Sequence, residues 1–218
     1  MRTIAFVSER GGSWKSTIAA SLAAAAHETG DKVCVIDMDP QGSLMNWSTI
    51  RASRDIGVIA CGGARLPALL ASLEGMGVTL AILDAPGAEG EASTAAMRAA
   101  DLNIAPSRPS LFDLRASART RAALEEIGAD FVFLLNQRPP GQQTAYVRDC
   151  AETLAEMGEL ISPLILTRAD YQEAARRGAG VTEFNPSGAA AQETRALWQS
   201  IRGRLSRAKI RRPAREAA

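Results

Sequence analysis

Two rhythms alternate along this chain. Short apolar runs rich in β-branched and aromatic residues occupy residues 4–7, 33–36, 57–61, 78–83, 102–105, 131–135 and 160–166. They predict strands, and the continuous β-branched run 33–36 is of the kind covered on both faces in a parallel sheet. Between them the apolar positions recur at helical spacing. Alanines with Ile18 and Leu22 follow Lys15. Leu44, Trp47 and Ile50 face inward from a predicted helix over residues 43–54, and further helices are expected over 66–73, 91–99, 112–127 and 142–157. The 142–157 segment places Tyr146, Cys150, Leu154 and Met157 on one core stripe, and Leu197, Ile201 and Leu205 mark a final amphipathic helix from about residue 189. Strand, helix, strand at this spacing is a βαβ unit with a right-handed crossover. The prediction is an α/β fold: a mostly parallel, doubly wound sheet flanked by helices, in a single domain over residues 1–206, with a basic C-terminal tail over 207–218.

Composition narrows the picture. A chain of 218 residues with 46% hydrophobic content can bury one sizeable core. No charged segment precedes a short apolar run as in a leader peptide, and no apolar run approaches the roughly 18 residues a membrane span needs. A soluble, cytoplasmic protein is expected. Cys34, Cys61 and Cys150 are widely spaced and form no CxxC pair, so they read as buried thiols. His27 is the only histidine, which argues against a Ser-His triad and a histidine-ligated metal.

Net charge is +1, but it is unevenly spread. Residues 200–218 carry Arg202, Arg204, Arg207, Lys209, Arg211, Arg212 and Arg215 against Glu216 alone, a local excess of +6 on a body of −5. A basic end on an acidic body points to a polyanionic partner, either nucleic acid or an anionic lipid surface.

The chemistry concentrates in the loop that joins the first strand to the first helix, Arg10-Gly11-Gly12-Ser13-Trp14-Lys15-Ser16-Thr17. Free backbone N–H groups and the positive end of the helix dipole suit this position to an anion such as a phosphate. Lys15 adds a point charge for β- and γ-phosphates, and the Ser16 hydroxyl is placed to ligate Mg²⁺. Two other strands end in carboxylates, Asp37-Met38-Asp39-Pro40-Gln41-Gly42 and Asp84-Ala85-Pro86-Gly87, where doubly wound sheets bind their ligands. For the first of these an N-cap and turn is the competing explanation.

These motifs together resemble the ParA and MinD partition ATPases, a P-loop NTPase family with a deviant Walker A loop, and in particular the small plasmid-partition ParA proteins. Residues 1 to about 205 share the likeness. In that family a signature lysine precedes two glycines, any residue, glycine, lysine and Ser/Thr. Here Arg10 stands for the signature lysine and Trp14 for the glycine next to Lys15. A side chain at 14 is expected to intrude on the phosphate or to force the loop into another conformation.

The resemblance implies roles for the other residues. Asp39 would orient the attacking water, Asp37 would help hold the Mg²⁺ shell, and Asp84 would reach the metal through water, with Pro86-Gly87 as the γ-phosphate switch. Asn136, at the end of the 131–135 strand, would read the adenine edge, with a strand-terminating Asn as the alternative. The spacing of Arg168, Tyr171, Ala174, Gly178 and Val181 to Glu183 also resembles the small partition ATPases. The implied activity is hydrolysis of Mg-ATP. Homodimerisation on ATP would send Arg10 in trans to the partner's phosphates, and a small partner protein would stimulate turnover. Arg202, Arg204, Arg207, Lys209, Arg211 and Arg212 would hold nonspecific DNA of the nucleoid. Arg115 and Arg119, one helical turn apart, are either part of that patch or solvated.

Three readings stay open: a ParA-like ATPase on DNA, a DNA-bound adaptor whose Trp14 has closed the nucleotide site, and a MinD-like ATPase on a membrane. After Gly203 the only large apolar residues are Leu205 and Ile210, too few for the broad apolar face of a membrane-bound helix.

Overall fold

A computed structural model of the protein describes residues 1–139, 141 and 144–211, the side chains of 208–211 excepted. Six strands form one sheet in the order β3-β2-β4-β1-β5-β6: β1 (Arg2–Phe6), β2 (Val33–Asp37), β3 (Gly57–Ala60), β4 (Leu80–Asp84), β5 (Leu102–Ser107) and β6 (Phe131–Leu135). Every pairing is parallel. The helices are α1 (Lys15–Glu28), α2 (Ser43–Ile50), α3 (Leu66–Gly75), α4 (Glu91–Ala99), α5 (Leu111–Glu126), α6 (Ala145–Met157), α7 (Ala169–Arg176), the single turn α8 (Val181–Phe184) and α9 (Ala189–Arg211).

Successive residues of each strand point to opposite faces, and both faces are dry except at the edge strand β3, where Gly57 and Ala60 are exposed and Val58 and Ile59 half-buried. Ile4, Phe6, Val33, Val35, Leu80, Ile82, Ile104 and Val132 pack with α1 and α9 on one face. Ala5, Val7, Cys34, Ile36 and Leu83 pack with residues of α3, α4 and α5 on the other. The alanines of α1 let other backbones approach it closely: a Cβ on Gly180 would lie 2.5 Å from Cβ of Ala24, so only glycine fits where the start of α8 meets α1.

Several local expectations are corrected. The helix expected over 43–54 stops at Ile50, because Arg51 leaves the helical region (φ −61°, ψ 121°). Its guanidinium turns inward to Glu183 (Nη2–Oε1 2.6 Å, Nη1–Oε2 2.8 Å), to Asp55 (Nη2–Oδ1 2.8 Å) and to the Gly178 carbonyl (3.1 Å). Ile50 is therefore exposed, not core. Tyr146 is likewise exposed on α6, while Cys150 and Leu154 on the same helix are buried.

The segment over 160–166 runs beside β6 without becoming a strand. It makes isolated bridges, Phe133 with Leu160 and Arg138 with Leu166, and Ile161 and Ile165 donate to the carbonyls of Phe133 and Leu135. Pro163 between them has no N–H to give a ladder. At the C-terminal end, α9 continues helically to Arg211, so the first residues of the expected tail are part of it. All three cysteines are buried free thiols.

Candidate functional site

The sheet register sets the site. Asp84 is level with Phe6 of β1 on one side and with Asp37 of β2 on the other, so both carboxylates lie at the C-terminal edge of the sheet. The phosphate-type loop leaves β1 at that same edge. Its mouth faces the turn after β4: a Cβ on Gly87 would lie 3.0 Å from the Gly11 nitrogen, so glycine is needed where the two loops touch.

The loop is braced from inside and from behind. The Arg10 carbonyl accepts from the Ser8 hydroxyl (3.0 Å), the Ser13 hydroxyl (3.5 Å) and Lys15 Nζ (3.4 Å). From the end of β6, Asn136 Nδ2 donates to the Ser13 carbonyl (2.8 Å) and Gln137 Nε2 to the Gly12 carbonyl (2.9 Å). Gln137 itself takes a left-handed backbone, φ 55°, with its N–H donated to Asn136 Oδ1. Asn136 is fully buried, and in this structure its carboxamide holds the loop. Gln137 joins the site without any signal in the sequence beyond its place directly after Asn136.

Trp14 takes φ 61° and ψ 25° and is the N-cap of α1. The left-handed region costs an L-residue roughly 1–2 kcal/mol. The indole packs on Tyr171 of α7, ring centroids 5.8 Å apart and planes tilted by 49°, against the core face of the sheet that α1 covers. Trp14 thus combines a left-handed backbone with a side chain directed into packing.

Lys15 is buried. Desolvation lowers its pKa, and the Asp84 and Asp39 carboxylates oppose that shift. Ser16 Oγ donates to Asp84 Oδ2 at 2.5 Å, and Thr17 follows on the first turn of α1. Burial pushes the Asp84 carboxyl up to about 7, against the lowering effect of the Ser16 hydrogen bond and the Lys15 charge. Its second oxygen, Oδ1, is buried without a partner among the described residues. An orphaned buried carboxylate oxygen beside a serine hydroxyl is a hard, all-oxygen donor pair of the kind Mg²⁺ takes. Among the described residues no group of three or more His, Cys, Asp and Glu gathers around a metal position.

Asp37 is buried and committed to the backbone: Oδ2 accepts from the N–H groups of Leu44 and Met45 (2.9 Å each), and Oδ1 from that of Asp39 (3.2 Å). It therefore anchors both the N-terminus of α2 and the turn that carries Asp39, as the competing explanation expected of this stretch. Asp39 is half-buried and accepts from Gln41 N at 2.9 Å.

Arg10 folds back on its own chain. Its guanidinium lies 5.6 Å from the centroid of the exposed Phe112 ring and Nε lies 3.9 Å from Asp113 Oδ1. Asp113 also accepts from Arg108 Nε at 3.1 Å. Arg119 is taken up by Glu9.

The basic residues of the C-terminal end divide. Arg202 and Arg207 are exposed. Arg204 is held to the body by Asp130 (2.6 Å) and Glu159 (2.9 Å). The side chains of Lys209 and Arg211, and Arg212 altogether, lie outside the described residues. This end is remote from the loop: Arg2, at the N-terminal end of β1, donates to the Leu205 carbonyl. No described helix is long and apolar enough to cross a membrane.

The family described as the CobQ/CobB/MinD/ParA nucleotide binding domain matches residues 4–212. Over 211 residues the chain is 30% identical to the maintenance of carboxysome distribution protein A of Gloeobacter kilaueensis, covering 94% of each. It is 25% identical to the chromosome-partitioning ATPase Soj of Thermus thermophilus, over 95% of this chain and 98% of that one. The fold matches that of the septum site-determining protein MinD from Pyrococcus horikoshii, solved with Mg-ADP, at a TM-score of 0.74, with 17% identity over 95% of this chain and 98% of that one.

Proposed function

The chain belongs to the CobQ/CobB/MinD/ParA nucleotide-binding family, and from that premise we propose that it is a ParA/MinD-type ATPase that binds Mg-ATP, dimerises and then binds nonspecific DNA to position a cargo. The observation that carries the reading is the juxtaposition of Lys15, Ser16 and the partnerless Asp84 Oδ1 at one helix N-terminus. The cargo-positioning and partitioning names of the relatives from Gloeobacter and Thermus and the Mg-ADP of the Pyrococcus structure support it.

The chemistry is transfer of the γ-phosphoryl to water, in which the protein supplies position and charge. Lys15 and the loop amides from Gly11 to Thr17 hold the phosphates. Ser16 and Asp84 hold the metal, and Asp37 keeps Asp39 in place to orient the water. Mg²⁺ held by Ser16 and Asp84 would supply positive charge to offset the negative charge that develops on the transferred phosphoryl group. Asn136 and Gln137 keep the loop closed from the side where Asn136 would border the base. Arg10 would leave Phe112 to reach the phosphates of the second copy, offering a bidentate fork where lysine offers a point charge. A small partner protein would stimulate turnover, and the exposed Arg202 and Arg207 with the basic residues beyond them would hold DNA of the nucleoid.

Calorimetric titration of Mg-ATP and Mg-ADP into the purified protein tests this, with Trp14→Gly alongside. Micromolar binding by the native protein is expected. Silence from the native protein with binding by the glycine variant would replace the ATPase by an adaptor that has lost its switch. DNA binding that ignores ATP, or binding to anionic vesicles instead of duplex, would overturn the DNA half of the reading.

A further inference from the structure

Trp14 breaks the rule that a phosphate loop keeps glycine beside its lysine, and such a breach at a functional site calls for a compensation elsewhere. We propose that Tyr171 is that compensation: the Trp14 and Tyr171 rings form a clasp that holds the phosphate loop in the left-handed conformation glycine would otherwise supply, making both of them positioning residues for Lys15 and Ser16. The inference rests on the nucleotide-binding half of the proposed function.

Three observations carry it. First, the Trp14 backbone sits at φ 61° and ψ 25°, a place a free tryptophan avoids, so something outside the loop must hold it. Second, the only aromatic ring paired with the indole among the described residues is that of Tyr171, at 5.8 Å and 49°, within the range of favourable tilted pairs. Third, Tyr171 is itself immobilised. It is fully buried, and its hydroxyl is shared with Thr194 Oγ1 (3.1 Å) and lies 3.4 Å from the Ala190 carbonyl, both on α9. Arg168, the N-cap of α7, is tied to Glu193 of the same helix α9 at 2.6 Å. The ring under the indole is thus fixed by α9, and the indole in turn fixes the N-cap from which Lys15 and Ser16 project.

The clasp predicts a specific ordering of variants at one position. Alanine at 14 keeps the backbone penalty and loses the packing, whereas glycine has neither. Mg-ATP affinity, by calorimetry, should therefore fall about tenfold in Trp14→Ala, the equivalent of about 1.4 kcal/mol, and stay near the native value in Trp14→Gly. Tyr171→Leu should weaken binding in the native background but not in the Trp14→Gly background, a coupling that a general loss of stability would not produce. Tyr171→Phe keeps the ring and is the variant to use if leucine does not fold; it should bind within about twofold of native, with thermal melts run on every protein.

Native-like binding by Trp14→Ala overturns the clasp, as does equal weakening by Tyr171→Leu in both backgrounds. No binding by the native protein but binding by Trp14→Gly overturns it while leaving the site intact. No binding by any variant, Trp14→Gly included, overturns the proposed nucleotide site itself and the clasp with it.

Discussion

Ser16 Oγ donates to one carboxylate oxygen of Asp84 at 2.5 Å, and the other oxygen has no partner among the described residues. A carboxylate half-satisfied in a dry place holds its proton more strongly than one in water, which is why its pKa rises to about 7. This pair is where pH, metal and stability meet.

The sign follows from proton counting. Between the unfolded value near 3.8 and the folded value of about 7, the folded protein holds a proton that the unfolded chain has released. Stability of the nucleotide-free protein should therefore decline as pH rises through that window and level off above it. Asp84→Asn removes the titration, so its melting temperature at pH 8 should exceed that of the native protein, with the gap narrowing as pH falls and closing only near pH 4. A metal needs the ionised form, so Mg-ATP binding should strengthen as pH rises towards 8 and release a proton below 7. Melts and titrations in buffers of differing ionisation enthalpy check both; a native stability that rises from pH 5 to 8 with the same slope as the variant's would remove Asp84 as the cause.

Arg51 is the second place where one side chain decides a junction. It joins the end of α2 to Glu183 and to Gly178 while lying 5.0 Å from the Trp47 ring centroid, and it is almost wholly buried. Removing one partner of a buried ion pair costs about 3–5 kcal/mol. Glu183 and Asp55 keep about a third and a quarter of their side-chain surface in water, which reduces the expected loss for Arg51→Ala to roughly 1–3 kcal/mol. At about 2–4 °C per kcal/mol for a chain of this size, the melting temperature should fall visibly. Arg51→Lys keeps the charge but not the fork, so it should recover only part; full recovery by lysine would mean that charge alone matters.

At the basic end, exposed and anchored arginines should behave differently. Arg202→Glu and Arg207→Glu should weaken duplex binding alike for unrelated sequences and lower the salt slope, by about 0.9 for each phosphate no longer neutralised. Arg204→Ala should instead lower the melting temperature, since it leaves Asp130 and Glu159 without their arginine. Filter binding over a salt series separates the two; a salt slope unchanged by both glutamates would move the DNA surface elsewhere.

Much of this fold could be read from the chain because its signals are local. A strand that is apolar on both faces and ends in a carboxylate announces itself in a few residues. β2 and β4 do so, and β1 runs straight into its phosphate-type loop, which places Lys15, Asp37 and Asp84 along one sheet edge. The misreadings are long-range. Ile50 and Arg51 fit a continuing helix until Glu183, 132 residues away, draws the arginine out of it. Tyr146 fits a core stripe, yet it faces solvent. The double duty of Asp37, and the role of Gln137 in closing the loop, need the positions of backbone groups that periodicity does not supply. Nothing local to Trp14 reveals that a ring in α7 waits beneath it.

The three tryptophans share one further property: all pack on the α1 face of the sheet. Trp47 donates its indole N–H to the Ala179 carbonyl and Trp198 donates to Thr29, while Trp14 sits at the mouth of α1. The opposite cluster, built on α3, α4 and α5, contains none. Tryptophan fluorescence therefore watches a single side of this molecule, and the opposite cluster is dark to it. An unfolding curve followed by emission and one followed by far-ultraviolet dichroism would superimpose only if the two sides let go together, so any separation between them would time the sides independently, without a label.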